Sequence, residues 1–139
     1  MKVTQIITLF GLSSFAVAEC DIYKLYGSIV KDPIMGWSWS GHLDDGLGIY
    51  PNKVLCGQGA GDNKGHRDDD GTWHLPCQEG FSLTLTGNGA HAIMVNGALT
   101  DEWDTGATAD QYDCYGACQD KGGVCLQCTQ YDFTSNYEC

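Results

Sequence analysis

FSLTLTGNGAHAIMVNG, residues 81–97, contains the clearest strand and hairpin pattern of the chain. Phe81, Leu83 and Leu85 alternate with hydroxyl residues, and successive side chains of a strand point to opposite faces. The glycine-flanked Asn88 predicts a turn into a second strand. This hairpin predicts an antiparallel sheet with one apolar face and one face in water.

Shorter segments before the hairpin fit the same pattern. Residues 22–30 alternate so that Leu25 and Ile29 share one face, and Trp37 and Trp39 share a face of another short strand. The chain contains 19 glycines at short intervals. Frequent glycines favour short strands joined by turns.

One helix is predicted after these strands. Thr108, with Gln111 three residues later, has the form of a capping box, and Gly122-Gly123 after Lys121 predicts a C-terminal stop. The expected fold class is therefore α+β. We expect a small disulfide-rich domain, mainly an antiparallel β-sheet with one short helix.

The first 18 residues have the form of a secretory signal. Lys2 precedes an apolar run, and Ala16 and Ala18 occupy the positions that a signal peptidase reads. The run is too short to cross a bilayer. We therefore expect residues 1–18 to be removed and residues 19–139 to form a single secreted, extracellular domain without a membrane span.

All eight cysteines lie after the predicted signal. Export into an oxidising compartment favours disulfides, although the spacing alone leaves the connectivity open. We expect Cys56 to pair with Cys77, and one of the four cysteines over 114–128 to reach Cys20 or Cys139. A zinc site is the weaker alternative for the crowded four, so neither a metal nor a cofactor is expected. The predicted disulfide cysteines are Cys20, Cys56, Cys77, Cys114, Cys118, Cys125, Cys128 and Cys139.

The chain is acidic, with a formal net charge of −11. A negative surface repels phosphate backbones and anionic headgroups, so we expect neither nucleic acid nor membranes as partners. Aliphatic side chains are sparse, and disulfides and aromatic rings are expected to provide much of the stability.

An aspartate-rich segment, residues 61–71, lies between Cys56 and Cys77. Clustered carboxylates suit calcium, but the spacing of an EF-hand loop is not met, and Lys64 and His66 dilute the negative charge. A solvated loop is the preferred interpretation, and an ion site is the alternative.

Four histidines, with Glu79, Glu102 and Arg67, supply the residue types that acid–base hydrolysis uses. No motif places these histidines, His42, His66, His74 and His91, in one site. Patterns of serine hydrolases, zinc proteases and P-loop enzymes are also absent from the sequence. We therefore predict a protein without catalytic residues that is not an enzyme, with a small secreted hydrolase such as a ribonuclease as an alternative.

The candidate binding surface consists of aromatic residues: Trp37, Trp39, Tyr112 and Tyr115. Flat rings with polar tips stack on sugars and anchor protein interfaces. The alternative is that these rings supply the core that the aliphatic residues cannot fill.

The whole chain resembles the small secreted cysteine-rich proteins of filamentous fungi, with a short signal, an acidic mature chain, eight cysteines and a terminal Cys139. This resemblance implies an effector or virulence factor. We expect it to be monomeric and non-enzymatic and to bind a host protein or a cell-wall glycan. Cys125 and Cys128, followed by the segment 132–139, are similar to the ending of smut-fungus killer-toxin-like proteins. That similarity implies an α+β sandwich and, as an alternative function, an antimicrobial or killer-type toxin.

Overall fold

The computed structural model describes residues 22–60, 65–115 and 126–138. These residues form β1 (Ile22–Asp32), β2 (Gly36–Asp45), β3 (Val54–Gly57), β4 (His66–Arg67), β5 (Trp73–Leu75), β6 (Phe81–Thr86), β7 (His91–Asn96), β8 (Leu99–Asp104), β9 (Thr108–Tyr115) and β10 (Leu126–Glu138). The first sheet has five strands in the order β3-β2-β1-β10-β9, and the second has five in the order β4-β5-β6-β7-β8. All pairings between these strands are antiparallel.

The hairpin predicted from residues 81–97 is confirmed. β6 and β7 pair in register from Phe81 opposite Asn96 to Thr86 opposite His91. At the turn, Asn88 has a φ of 55°, a left-handed conformation that asparagine tolerates better than most residues. The alternating pattern and the turn chemistry therefore specify this part of the second sheet together.

The two sheets pack around one cluster of buried apolar side chains. The first sheet contributes residues of β1, β2, β3 and β10, and the second contributes residues of β5, β6 and β7. The alternation predicted for β1 is confirmed, because Tyr23, Leu25 and Ile29 are all buried. Buried members of both sheets are Tyr23, Leu25, Ile29, Leu43, Leu55, Phe133, Trp73, Leu75, Leu83, Leu85, Ala92 and Met94.

Phe133 fills a space that two glycines leave free. Its side chain belongs to β10 and only 3% of the residue is exposed. A Cβ atom on Gly27 would lie 2.9 Å from Cε2 of Phe133, and one on Gly89 would lie 2.7 Å from Cδ1. Gly27 belongs to the first sheet and Gly89 to the turn between β6 and β7. The ring therefore contacts backbone of both sheets.

Aromatic residues complete the packing where the aliphatic residues are too few. The rings of Tyr23 and Trp103 stack with their centroids 6.1 Å apart, and those of Trp103 and Tyr137 lie 5.0 Å apart. Nε1 of Trp103 donates a hydrogen bond to Ser135 Oγ at 3.0 Å, which links β8 to β10. Buried indole groups need such a partner for the N–H, so these rings join the two sheets by packing and by hydrogen bonding.

The α+β prediction is wrong, because the protein is all-β over the described residues. The predicted helix start at Thr108 is instead the first residue of β9, which pairs with Asp132 of β10. Pairing with β10 satisfies the backbone groups on one side of β9 and outweighs a local capping signal, since tertiary contacts routinely override weak propensities. The predicted helix end near Lys121 lies outside the described residues.

Two disulfides are present in the described part of the chain. The predicted Cys56–Cys77 bond is confirmed, with a sequence separation of 21. Cys114 pairs with Cys128 across β9 and β10, so neither of these two reaches a chain end. No cysteine among the described residues is free. The other predicted disulfide cysteines, Cys20, Cys118, Cys125 and Cys139, lie outside those residues.

The disulfides are typical of extracellular proteins. No helix in ranges 22–60, 65–115 and 126–138 is long and apolar enough to cross a membrane. The predicted signal, residues 1–18, lies outside the described residues.

Candidate functional site

The structure does not bring the four predicted binding residues together. Trp37 and Trp39 lie on β2, whereas Tyr112 and Tyr115 lie on β9. β1 and β10 separate these two strands in the first sheet. The aromatic residues therefore form two separate pairs.

Trp37 and Trp39 are partly buried and pack against the core. The Trp37 ring stacks on Tyr131, with centroids 6.4 Å apart, and the guanidinium carbon of Arg67 lies 4.1 Å from its centroid. Nζ of Lys31 lies 5.7 Å from the same ring. Cation–π attraction acts over these distances. Lys31 and Arg67 thus lie beside the Trp37 ring, where a ligand that stacks on this ring would also have to bind.

Tyr112 and Tyr115 differ in their surroundings. Tyr112 is 42% exposed, whereas Oη of Tyr115 donates a hydrogen bond to Oδ2 of Asp32 at 2.6 Å. This bond is the largest cause that lowers the pKa of Asp32, assisted by the N–H groups of Met35 and Ile34. The same bond raises the pKa of Tyr115. Tyr115 is therefore tied to the turn between β1 and β2.

Tyr115→Phe is expected to raise the pKa of Asp32 toward its ordinary value of 3.8, because the variant removes the main hydrogen bond to the carboxylate. A lowered folded-state pKa contributes stability above the unfolded pKa, and that contribution is lost as the pH falls through the folded pKa. The variant should therefore lose less stability than the parent below about pH 4. NMR titration of the Asp32 carboxyl carbon measures the pKa. Tyr112→Phe is the control, and an unchanged Asp32 pKa in Tyr115→Phe contradicts the assignment.

A second group of functional side chains lies on the β4–β5 hairpin. His66 and His74 are directly opposed in register, and Asp68 follows His66 by two residues, which places it on the same side of an extended chain. The turn is closed by backbone hydrogen bonds, from Asp68 N–H to Thr72 O at 2.8 Å and from Gly71 N–H to Asp68 O at 2.9 Å. Local strand pairing therefore gathers two imidazoles and one carboxylate.

The neighbouring Asp70 stabilises this turn. Its Oδ1 accepts a hydrogen bond from the N–H of Thr72 at 2.9 Å. Hydrogen bonds from the backbone and the side chain of Thr72 are the two largest causes that lower the pKa of Asp70. The ionised carboxylate is thus favoured at the tip of the hairpin.

The two imidazoles share one carboxylate. Nε2 of His74 lies 2.8 Å from Oδ2 of Asp68, and Nε2 of His66 lies 3.5 Å from Oδ1. The imidazole rings stack with centroids 4.6 Å apart and an interplanar angle of 18°. The side chains are 69% exposed for His66, 41% for His74 and 46% for Asp68. Solvent and small ligands therefore reach this cluster, which we call the His66–Asp68–His74 cluster.

An open groove of about 450 Å³ borders the cluster. Its volume falls in the range of about 300–1,000 Å³ that small-molecule sites occupy. On one side, the Phe81 ring packs edge-on against Tyr50, with centroids 4.9 Å apart. The groove is lined by Gly65, His66, His74, Leu75, Pro76, Cys77 and Phe81.

The Trp39 indole packs against Gly65, one of the residues that line the groove. A Cβ atom on Gly65 would lie 2.8 Å from Nε1 of Trp39 and 2.9 Å from the carbonyl oxygen of His74. Gly65 thus allows the backbone that lines the groove to approach the indole closely. Of the four predicted binding residues, Trp39 lies next to this groove.

The cluster contains two of the four histidines considered for acid–base catalysis. His42 instead lies 3.5 Å from Asp44, and His91 lies 3.0 Å from Asp104. A general acid and a general base must both reach the reacting bond. His66 and His74 both line the groove and both contact Asp68, an arrangement that can bind a cation or a polar ligand.

The sequence indicates these histidines as candidate acid–base residues but does not predict the cluster. The signal was the spacing His66-x-Asp68 followed by a turn of aspartates and glycine before His74. The cluster can be recognised only when the strand register that places His66 opposite His74 is known. The aspartate-rich segment predicted as a solvated loop contains this turn, where Asp68, Asp69 and Asp70 are exposed.

Comparisons of this chain with protein-family models, with curated proteins and with solved structures find no match. The function must therefore be inferred from the residues of this chain.

Proposed function

We propose that the protein is a secreted, non-enzymatic effector that binds a cell-wall glycan in the groove beside Phe81. The observation that carries this proposal is the combination of an aromatic ring with the exposed imidazoles of His66 and His74 along one open groove. Sugar rings present apolar C–H faces that stack on aromatic side chains. Their hydroxyls both donate and accept hydrogen bonds, which imidazole and carboxylate groups complement.

The groove is also supported by covalent and hydrogen-bonded structure. Cys77 lines it and is bonded to Cys56 of β3. The Gly57 N–H donates to Pro76 O at 2.7 Å, and the Gln78 N–H donates to Leu55 O at 2.9 Å. A preorganised site loses less conformational entropy on binding. This favours recognition of an extended polymer segment by a fixed surface.

The charge of the chain favours a neutral polysaccharide over other polymers. The formal net charge of −11 repels polyanions such as nucleic acids. A neutral glycan meets no such repulsion, and its hydroxyls are suitable partners for Asp68. Disulfide-bonded structure is consistent with action outside the cell.

A host protein is the second candidate partner. Ile34 and Met35 are 60% and 80% exposed at the β1–β2 turn, and Tyr115 is hydrogen-bonded to Asp32 beside them. Exposed apolar residues next to a tyrosine are the kind of surface that anchors a protein partner. This surface lies on the first sheet, whereas the groove belongs to the second sheet, so variants can separate the two candidates.

Binding to a glycan is tested by incubating the untagged, disulfide-intact protein with insoluble chitin, cellulose and β-glucan in the presence of EDTA. We expect depletion of the protein from solution by at least one of these polymers. Phe81→Ala should weaken that binding about tenfold, because it removes the ring on which a sugar stacks. His66→Ala, at an exposed position, is a second groove variant that should weaken binding without altering the fold. Tyr112→Ala, which removes an exposed ring on the other sheet, is the matched control.

Several outcomes of this experiment would overturn the proposal. No depletion by any polymer, or an equal loss for Tyr112→Ala and Phe81→Ala, contradicts a glycan groove. Capture of a host extracellular protein that depends on Met35 would favour the second candidate. Turnover of glycan or RNA that persists through chromatography would show an enzyme, and growth inhibition of microbes alone would show a toxin.

A further inference from the structure

We propose that His66, Asp68 and His74 form a binding site for a divalent transition-metal ion such as Zn²⁺ or Cu²⁺. The potential ligand atoms of these three residues all lie within 4.8 Å of one another. This inference goes beyond the proposed function and does not depend on it, since metal binding is measured without a glycan.

The hairpin holds the three side chains close together before any ion binds. His66 and His74 are paired across β4 and β5, and the backbone bonds of Asp68 close the turn between them. The hairpin is attached to the second sheet through the pairing of β5 with β6. Ligands on paired strands are positioned more firmly than ligands on an irregular loop.

The distances fit a metal ion once the imidazole rings rotate out of their stacked arrangement, because an ion bound by both nitrogens must lie in both ring planes. Zinc bonds of about 2.0–2.1 Å in a tetrahedral site separate neighbouring ligand atoms by about 3.3 Å. Nε2 of His66 and Oδ1 of Asp68 are 3.5 Å apart. Nε2 of His74 lies 2.8 Å from Oδ2 of Asp68, which is a hydrogen-bond distance that widens when a metal replaces the proton. One ion can thus be bound by the Asp68 carboxylate and by both imidazoles.

The ligand types select the class of ion. Two imidazoles and one carboxylate suit zinc, copper or nickel, whereas calcium and magnesium prefer sites made of oxygen ligands. Three protein ligands leave at least one coordination position for water or another ligand. His66 and His74 also line the groove, so a molecule bound in the groove is close enough to reach such a position.

Other histidine–carboxylate contacts in the described residues contain one imidazole each. His91 lies 3.0 Å from Asp104 and 3.7 Å from Glu102, and His42 lies 3.5 Å from Asp44. No further group of three metal-ligating side chains within this spacing occurs among the residues described. His91 is therefore a matched control, because its removal also takes away an imidazole beside carboxylates.

Isothermal titration of the untagged, disulfide-intact protein with zinc chloride tests the site. We expect saturable binding of one ion, a loss of affinity of about tenfold or more in His66→Ala and in Asp68→Asn, and no change in His91→Ala. Calcium chloride should give no saturable binding. Circular dichroism and thermal unfolding without metal should match the parent for each variant, since His66 and Asp68 are exposed.

Electron paramagnetic resonance with one equivalent of Cu²⁺ gives a second readout. The parent should show two coordinated nitrogens, and His66→Ala should show one. Equal zinc affinity in the parent and in His66→Ala would mean binding elsewhere on the chain and would overturn the proposal. So would the absence of saturable binding at about 1 mM zinc. Glycan binding is assayed in EDTA, so failure of either proposal leaves the other intact.

Discussion

Replacing Cys56 and Cys77 together by serine is expected to lower the free energy of unfolding by about 3 kcal/mol, because the bond closes a long loop in the unfolded chain. The two residues are 21 positions apart and connect β3 of the first sheet with the segment after β5 of the second. A loss of this size is a large part of the ~5–15 kcal/mol that stabilises an ordinary domain. Urea unfolding of the double variant measures the change.

The position of the Cys56–Cys77 bond also predicts which part of the structure opens more easily when the bond is removed. Amide hydrogens of the β4–β5 hairpin should exchange faster in the double variant, since β5 lies just before Cys77. The control is Cys114→Ser with Cys128→Ser, which removes the bond between β9 and β10 and should leave exchange in the hairpin unchanged. An unfolding midpoint and hairpin exchange equal to those of the parent would refute a stabilising role for Cys56–Cys77.

Phe133→Ala is expected to lower the free energy of unfolding by about 3–5 kcal/mol, the usual cost of truncating a buried aromatic side chain. The ring fills the space beside Gly27 and Gly89, so neither glycine has a side chain that can occupy the cavity. The sheets would have to move together to close it. Denaturant unfolding monitored by circular dichroism and by tryptophan fluorescence measures the loss.

Two further variants define the cause of that loss. Phe133→Leu retains most of the apolar volume and should cost less than Phe133→Ala. Thr134→Ala changes the next residue of β10, which is exposed, and should alter stability by no more than about 0.5 kcal/mol. Equal unfolding free energies for Phe133→Ala and Thr134→Ala would show that the ring does not hold the sheets together.

The β6–β7 hairpin could be predicted from the sequence because all its determinants are local. Leu83 and Leu85 alternate with threonines, and Asn88 between glycines supplies the turn. The alternation over β1 was predictable for the same reason. In both strands the period of two places apolar residues on the buried face.

The error over Thr108–Tyr115 has a different origin. Thr108 and Gln111 have the spacing of a helix cap, but the partner of this segment is β10, whose residue Asp132 opposes Thr108. A short-range pattern contains no information about a strand that follows later in the chain. Strand propensity depends strongly on the available neighbours, so the pairing with β10 determined the structure of this segment.

In the candidate site, too, the sequence shows the residue types but not their positions relative to one another. His66 and His74 were recognised as potentially reactive side chains, but their position opposite one another depends on the register of β4 and β5. The separation of Trp37 and Trp39 from Tyr112 and Tyr115 depends on the strand order of the first sheet. Neither register nor strand order can be derived from residue types alone.

The antiparallel hairpin and the acidic character of the chain could be predicted from the sequence, because they follow from local alternation and composition. The spacing of Cys56 and Cys77 left other pairings open, and the fold places these two cysteines together. Contacts between strands, by contrast, make β9 a strand, place Phe133 between two glycines and bring two histidines to Asp68. The free energies of such contacts depend on partners that the local sequence does not specify.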